Sequence, residues 1–154
     1  MKRILALGAL AAALVAPSAV ARPAGSCTAT APDAFGPFGR GIPPMRAKIG
    51  KGGHVMTGVV LSAVTCAPLR GAQVQYWQAG KNGVYTRAGS GTVLTDRNGR
   101  FRFETPVPPR YEGRPPHIHL RVVAKDHVTL LARYEFSPGE KRASIRLVLR
   151  PIDL

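Results

Sequence analysis

From His54 to Arg150 the chain is a series of short runs rich in Val, Thr and aromatic residues. Several alternate apolar with polar positions. Phe101-Arg102-Phe103 and Ile145-Arg146-Leu147 show the period of two that sends successive side chains to opposite faces of a strand. The runs are HVMTGVVLSA, AQVQYWQA, GTVLTD, RFRFET, HIHLRVVA, HVTLLARYEF and ASIRLVLR, separated by the turn signals KNG, DRNG, PVPP and SPGE. About seven strands and no helix are predicted, which makes the fold all-β, a sandwich or a barrel. DRNG predicts a tight hairpin between its flanking strands. TRAGSGT reads as a loop between Tyr85 and the next strand.

The pattern differs upstream. Residues 22–53 are rich in Pro and Gly, carry no periodicity and read as an irregular arm over the surface of a domain spanning 54–154. Residues 1–21 open with Lys2-Arg3, continue with the apolar run Ile4–Ala16 and end in an Ala-Val-Ala cleavage signal. That is the form of a secretory signal peptide, too short to span a bilayer and without the paired arginines of a twin-arginine leader. A periplasmic or secreted location is the expectation. Cys27 and Cys66 are the two cysteines, and in an exported chain such a pair is expected to form a disulfide.

The formal charge of +14 over 154 residues raises the question of nucleic acid. The basic residues are scattered, no nucleic-acid motif accompanies them, and an exported protein rarely meets that ligand. A positive surface instead suits anionic cell-envelope polymers or steers anionic small molecules.

The chemistry concentrates in RYEGRPPHIHLRVVA, residues 110–124. His117 and His119 stand two apart on a predicted strand and so share a face. Alone, such a pair is more often two partly exposed histidines than a metal site. Tyr111 and Tyr85, each alone a core-capping aromatic, add two phenols near the ends of neighbouring segments. A phenol, with a pKa near ~10, becomes an anionic ligand at neutral pH only on a strong Lewis acid, so this donor set favours a hard ferric ion over zinc or copper.

GAQVQYWQAGKNGVY, GTVLTDRNGRFRFETPVPPRY and RPPHIHLRV, in this order, resemble the signature blocks of the intradiol ring-cleavage dioxygenases, the protocatechuate and catechol dioxygenase family. The resemblance runs from about Gly71 to Val122, more weakly through YEFSPGE. It implies a prealbumin-like β-sandwich and a non-haem Fe(III) held by Tyr85, Tyr111, His117 and His119. It also implies that Arg114 stands beside a bound catechol and stabilises charge as O₂ attacks, held in place by the two prolines of its short loop. Without the resemblance, Arg114 reads as a surface partner of Glu112.

Departures from the family pattern are plain. TRAGSGT and EGRPP are short where the family has pocket-walling loops, which implies an open site. Arg133 falls where a glutamine is common. The N-terminal helical region through which catechol-type enzymes dimerise is missing. The implied partners are a catecholic small molecule and O₂. Two other readings remain open: an exported β-sandwich binding module, and a catecholate or iron binder that uses the same ligands without turnover.

Overall fold

The computed structural model describes residues 27–36 and 41–152, so the leader expected over residues 1–21 lies outside the described residues. Seven strands follow in order: β1 (His54–Ser62), β2 (Gln73–Ala79), β3 (Tyr85–Leu94), β4 (Arg100–Thr105), β5 (His117–Val123), β6 (Leu130–Glu135) and β7 (Arg142–Leu149). They form two sheets, ordered β4-β1-β7 and β3-β2-β5-β6. All pairings are antiparallel except β1 with β7. The all-β sandwich expected from the alternation is the fold observed.

Two expectations need correction. The DRNG segment is a tight turn: Asp96 Oδ1 accepts from the backbone amides of Asn98 and Arg100, and Gly99 takes a φ of +69°. Yet it does not close a hairpin, because β3 and β4 lie in different sheets and the turn carries the chain from one layer to the other. Turn chemistry sets the local reversal and leaves open which neighbour a strand pairs with. Likewise TRAGSGT is no loop. It is the first part of β3, whose side chains are largely exposed from Thr86 to Ala88 and buried from Ser90 to Val93.

The core lies between the sheets. Val74 and Tyr76 from β2, Ile118, Leu120 and Val122 from β5, Met56 and Val60 from β1, and Phe103 from β4 are at most 1% exposed. Tyr76 stacks on Phe103 across the two layers with ring centroids 4.0 Å apart. The Tyr76 hydroxyl donates to the Arg46 carbonyl, which satisfies the one polar atom of that ring.

The N-terminal arm seals the sandwich along both open sides. Thr30 N donates to Val148 O at the β7 edge and Asp33 N to Leu131 O at the β6 edge. On the other side Arg46 N donates to Thr92 O at the β3 edge, and Ile49 N to Glu104 O at the β4 edge. These four strands are the outer members of the two sheets, so the arm occupies the unpaired backbone that would otherwise invite another chain. Cys27 is disulfide-bonded to Cys66 in the β1–β2 connection, as expected, and fixes the start of the arm.

Candidate metal centre

Ile118, Leu120 and Val122 face the core, so the alternation of β5 sends His117 and His119 to the outward face of the four-stranded sheet. Both are nevertheless buried, at 1% and 2% exposure. On β2, Trp77 is the register partner of His119, and beyond it the β2–β3 register shifts, so that Tyr85 faces Ala79. Irregularities of this kind re-aim side chains next to sites. Here the first residue of β3 delivers its phenol to the histidines.

Tyr111 arrives from the other side. Arg114 N donates to Tyr111 O at 2.9 Å, and the two residues between them, Glu112 and Gly113, have φ of +48° and +74°. Positive φ at both central positions makes a tight reversal. This turn, in addition to the two prolines expected to stiffen the loop, holds the segment compact.

The structure brings all four sequence-predicted ligands together. The Tyr85 and Tyr111 hydroxyls touch each other. His117 Nε2 lies 3.0 Å from Tyr111 Oη and 3.3 Å from Tyr85 Oη, and His119 Nε2 lies 2.9 Å from Tyr85 Oη. His117 Nδ1 is 2.7 Å from the Pro115 carbonyl, which can only accept. Nδ1 therefore carries the proton, and Nε2 turns its lone pair to the tyrosines. Orienting a ring through its second nitrogen in this way is typical of histidines that ligate metals.

Electrostatics opposes charge on Tyr85 and His119. Burial, then the Tyr111 hydroxyl, push the Tyr85 phenol well above its ordinary value, against the smaller opposing pull of Arg114 and Arg133. Burial, then His117, lower the His119 imidazole to about 4, against Asp33. At neutral pH the Tyr85 phenol holds its proton and the His119 imidazole is neutral, with one ring N–H and one lone pair. Two phenolic oxygens and two imidazole nitrogens at mutual contact fit a hard, highly charged cation, because only such an ion makes phenolate the favoured form in this setting.

Arg114 lies at the rim. Its guanidinium is 5.8 Å from the centroid of the Tyr111 ring and 3.8 Å from Glu112, with half of the side chain exposed. Arg114 thus pairs with Glu112 and stands beside the Tyr111 ring. Arg133 is the register partner of His119 on β6 and pairs with Asp33 at 3.1 Å and with Glu135 at 3.3 Å. Asp33 was not singled out from the sequence. Nothing in an unpatterned arm marks a residue that the chain path alone brings to β6. The network of Arg121 also appears only in three dimensions: it donates to Gln75 Oε1 and to the Gly41 carbonyl and lies 5.1 Å over the Trp77 ring.

No protein-family model matches the chain. Among curated proteins it is 29% identical over 144 residues to a 6-chlorohydroxyquinol 1,2-dioxygenase of Cupriavidus pinatubonensis, covering 73% of this chain and 52% of that protein. A Rickettsia bellii protein is 30% identical over 103 residues, covering 54% of this chain and 49% of its own length. The chain thus spans about half the length of the curated relatives it matches. Among solved structures, an intradiol ring-cleavage dioxygenase from Tetranychus urticae superposes with a TM-score of 0.72 at 20% identity, over 82% of this chain and 97% of that one. The dioxygenase domain of a dioxygenase carbohydrate-binding protein fusion from Streptomyces sp. SirexAA-E superposes with a TM-score of 0.69 at 24% identity, over 81% and 100%. At those identities the likeness establishes a shared fold.

Proposed function

On the premise that this chain is a relative of the intradiol ring-cleavage dioxygenases in sequence and fold, we propose that it is a non-haem Fe(III) dioxygenase. It opens catecholic rings with O₂ between the two hydroxyl-bearing carbons, giving a muconate-type dicarboxylate. The signal-like residues 1–21 support action outside the cytoplasm. The observation that carries the reading is the meeting of Tyr85, Tyr111, His117 and His119 around one point.

Those four residues would hold the iron. Bound there, ferric iron would supply a Lewis acid that makes a catecholic ring reactive toward O₂. The chain's own residues do the rest. His117 is pre-oriented by Pro115, so its lone pair is aimed before any ligand arrives. Tyr85 and Tyr111 must give up phenolic protons to act as anionic donors, so loading releases protons and its affinity rises with pH. Arg114, at the rim beside Tyr111, brings a fixed positive charge to the substrate side, where negative charge develops.

The test is metal analysis with a visible spectrum, followed by an oxygen-uptake screen over catechols, polymeric and lignin-derived ones included. Stoichiometric iron, a tyrosinate band and oxygen consumption matched by ring-opened product are expected. Colour without uptake on any catechol would reduce the protein to an iron or catecholate binder, and a colourless, iron-free protein would leave a binding module.

A further inference from the structure

The outward face of the three-stranded sheet takes no part in the site. The β4-β1-β7 register sets Arg100 and Arg146 on either side of Val59, and Arg102 and Ser144 on either side of Thr57. Glu104 and Arg142 flank Val55 in the same way. All four arginines are exposed, whereas the central strand between them offers only Val and Thr. Neighbouring strands are ~4.8 Å apart and alternate residues ~6.7 Å apart, so the guanidiniums form two rows either side of a trough. A depression of about 570 Å³ lies toward the β4 side, lined by Thr57, Val59, Asp96, Arg100, Arg102 and Ser144 among others.

Most of the charge on this face lacks an ion-pair partner. Its carboxylates are Glu104, shared by Lys48 at 3.3 Å, Arg102 at 4.0 Å and the Gly53 amide, and Asp96, whose Oδ1 accepts two backbone amides of its own turn and which also feels Arg100. Among the described residues Arg100, Arg142 and Arg146 make no salt bridge at all. Like charges held together by register, three of them without a salt bridge, favour an anionic ligand lying across them.

We propose that this face docks an extended acidic polysaccharide along β1, its carboxylates reaching the arginine rows alternately on both sides. Guanidinium forks match carboxylates in two-point fashion, and the exposed Ser144 hydroxyl stands where sugar hydroxyls would lie. Nucleic acid fits less well. Phe101 and Phe103 of β4 point into the core, so no exposed aromatic among the described residues of this face stacks a base. Among the described residues no helix is present to enter a groove. The site and its chemistry play no part in the argument, so the surface stands or falls apart from the dioxygenase reading.

The experiment measures retention of the full chain, as purified, on sodium polygalacturonate by affinity electrophoresis and sedimentation. Neutral cellulose and a DNA duplex are the comparison ligands. Retardation on polygalacturonate, weakening with salt, is expected, with none on cellulose. Arg100→Gln/Arg146→Gln is expected to weaken binding roughly tenfold, since each lost contact counts again along a multivalent ligand. Because Arg146 also touches Cys27 Sγ, Arg100→Gln/Arg142→Gln serves as the second variant and leaves that contact in place. Lys81→Gln/Lys125→Gln removes the same charge from exposed turns of the other sheet and should bind as the parent does. Equal loss in all three variants would mean that net charge alone attracts the polymer and would overturn the proposal. So would tighter binding of the duplex than of polygalacturonate.

Discussion

Arg114 is the residue that separates an enzyme from an iron binder. Its guanidinium lies beside Tyr111 and is half in solvent, so it adds little to stability. Arg114→Ala should keep iron and colour while turnover falls by ~10²-fold, the scale of removing one preorganised donor. Lysine should restore only part, lacking the planar fork. Equal oxygen uptake by iron-matched Arg114→Ala and parent would return Arg114 to a surface partner of Glu112. Tyr85→Phe and Tyr111→Phe each remove one oxygen and keep the ring, so the fold should persist while the visible band weakens or shifts. An unchanged spectrum in both would remove the tyrosines from the ligand set. His54 is a different case. It is fully buried, edge-on to Phe136 at 4.7 Å, with Glu140 at 3.6 Å, beyond hydrogen-bond range. Burial lowers its pKa, and Glu140 offsets this only in part. The folded state therefore binds this proton less tightly than the unfolded chain. Above the ordinary value of 6.5 neither state carries the proton; below it the unfolded chain gains it first, and stability falls with pH until the folded pKa is passed. Urea midpoints near pH 8 and near pH 5 should differ more for the parent than for His54→Asn. Identical pH dependence would show that His54 is not the group responsible.

At the scale of elements, the alternation in the sequence was enough to place most strands, since the period of two is local chemistry. β4 and β5 begin at the residues the pattern indicated. The first half of β3 was missed because Thr86 to Ala88 show no apolar alternation. That stretch lies at the irregularity between two paired parts of β3, Tyr85 opposite Ala79 and Ser90 opposite Trp77. Gly58 poses a sharper question of sign. In mid-strand, Gly→Ala ordinarily gains ~0.4–1 kcal/mol by restricting the unfolded chain. Here a Cβ would stand 2.5 Å from both the Phe101 ring and the Ile145 carbonyl. Overpacking against a core ring and a neighbouring backbone costs ~1–3 kcal/mol, so the net effect should be destabilising. A denaturant midpoint for Gly58→Ala at or above the parent's would show that β1 and β4 can part to make room.

For the whole molecule, the arm and its disulfide decide how the sandwich is closed. Cys27 and Cys66 are 39 residues apart, and a loop of that size restricts the unfolded chain by ~4 kcal/mol on chain-entropy estimates. Cys27→Ser/Cys66→Ser should lower the melting midpoint by roughly 10 °C. It should also promote aggregation, because the arm that pairs the β7 and β6 edges loses its anchor. A midpoint within ~2 °C of the parent would show that the backbone pairing holds the arm unaided. What the sequence determined by itself was the all-β strand pattern and the cysteine pair, while the four candidate ligands followed from the resemblance of its motif blocks to a known family. The first two are written in short-range pattern and residue chemistry: alternation, turn residues, two cysteines. Only the tertiary structure decided that DRNG links two sheets instead of closing a hairpin, that Asp33 meets Arg133, and that four arginines line one face. Those facts rest on which strands pair and in what register. Pairing is settled by the burial of the whole core, and no local stretch of sequence carries that information.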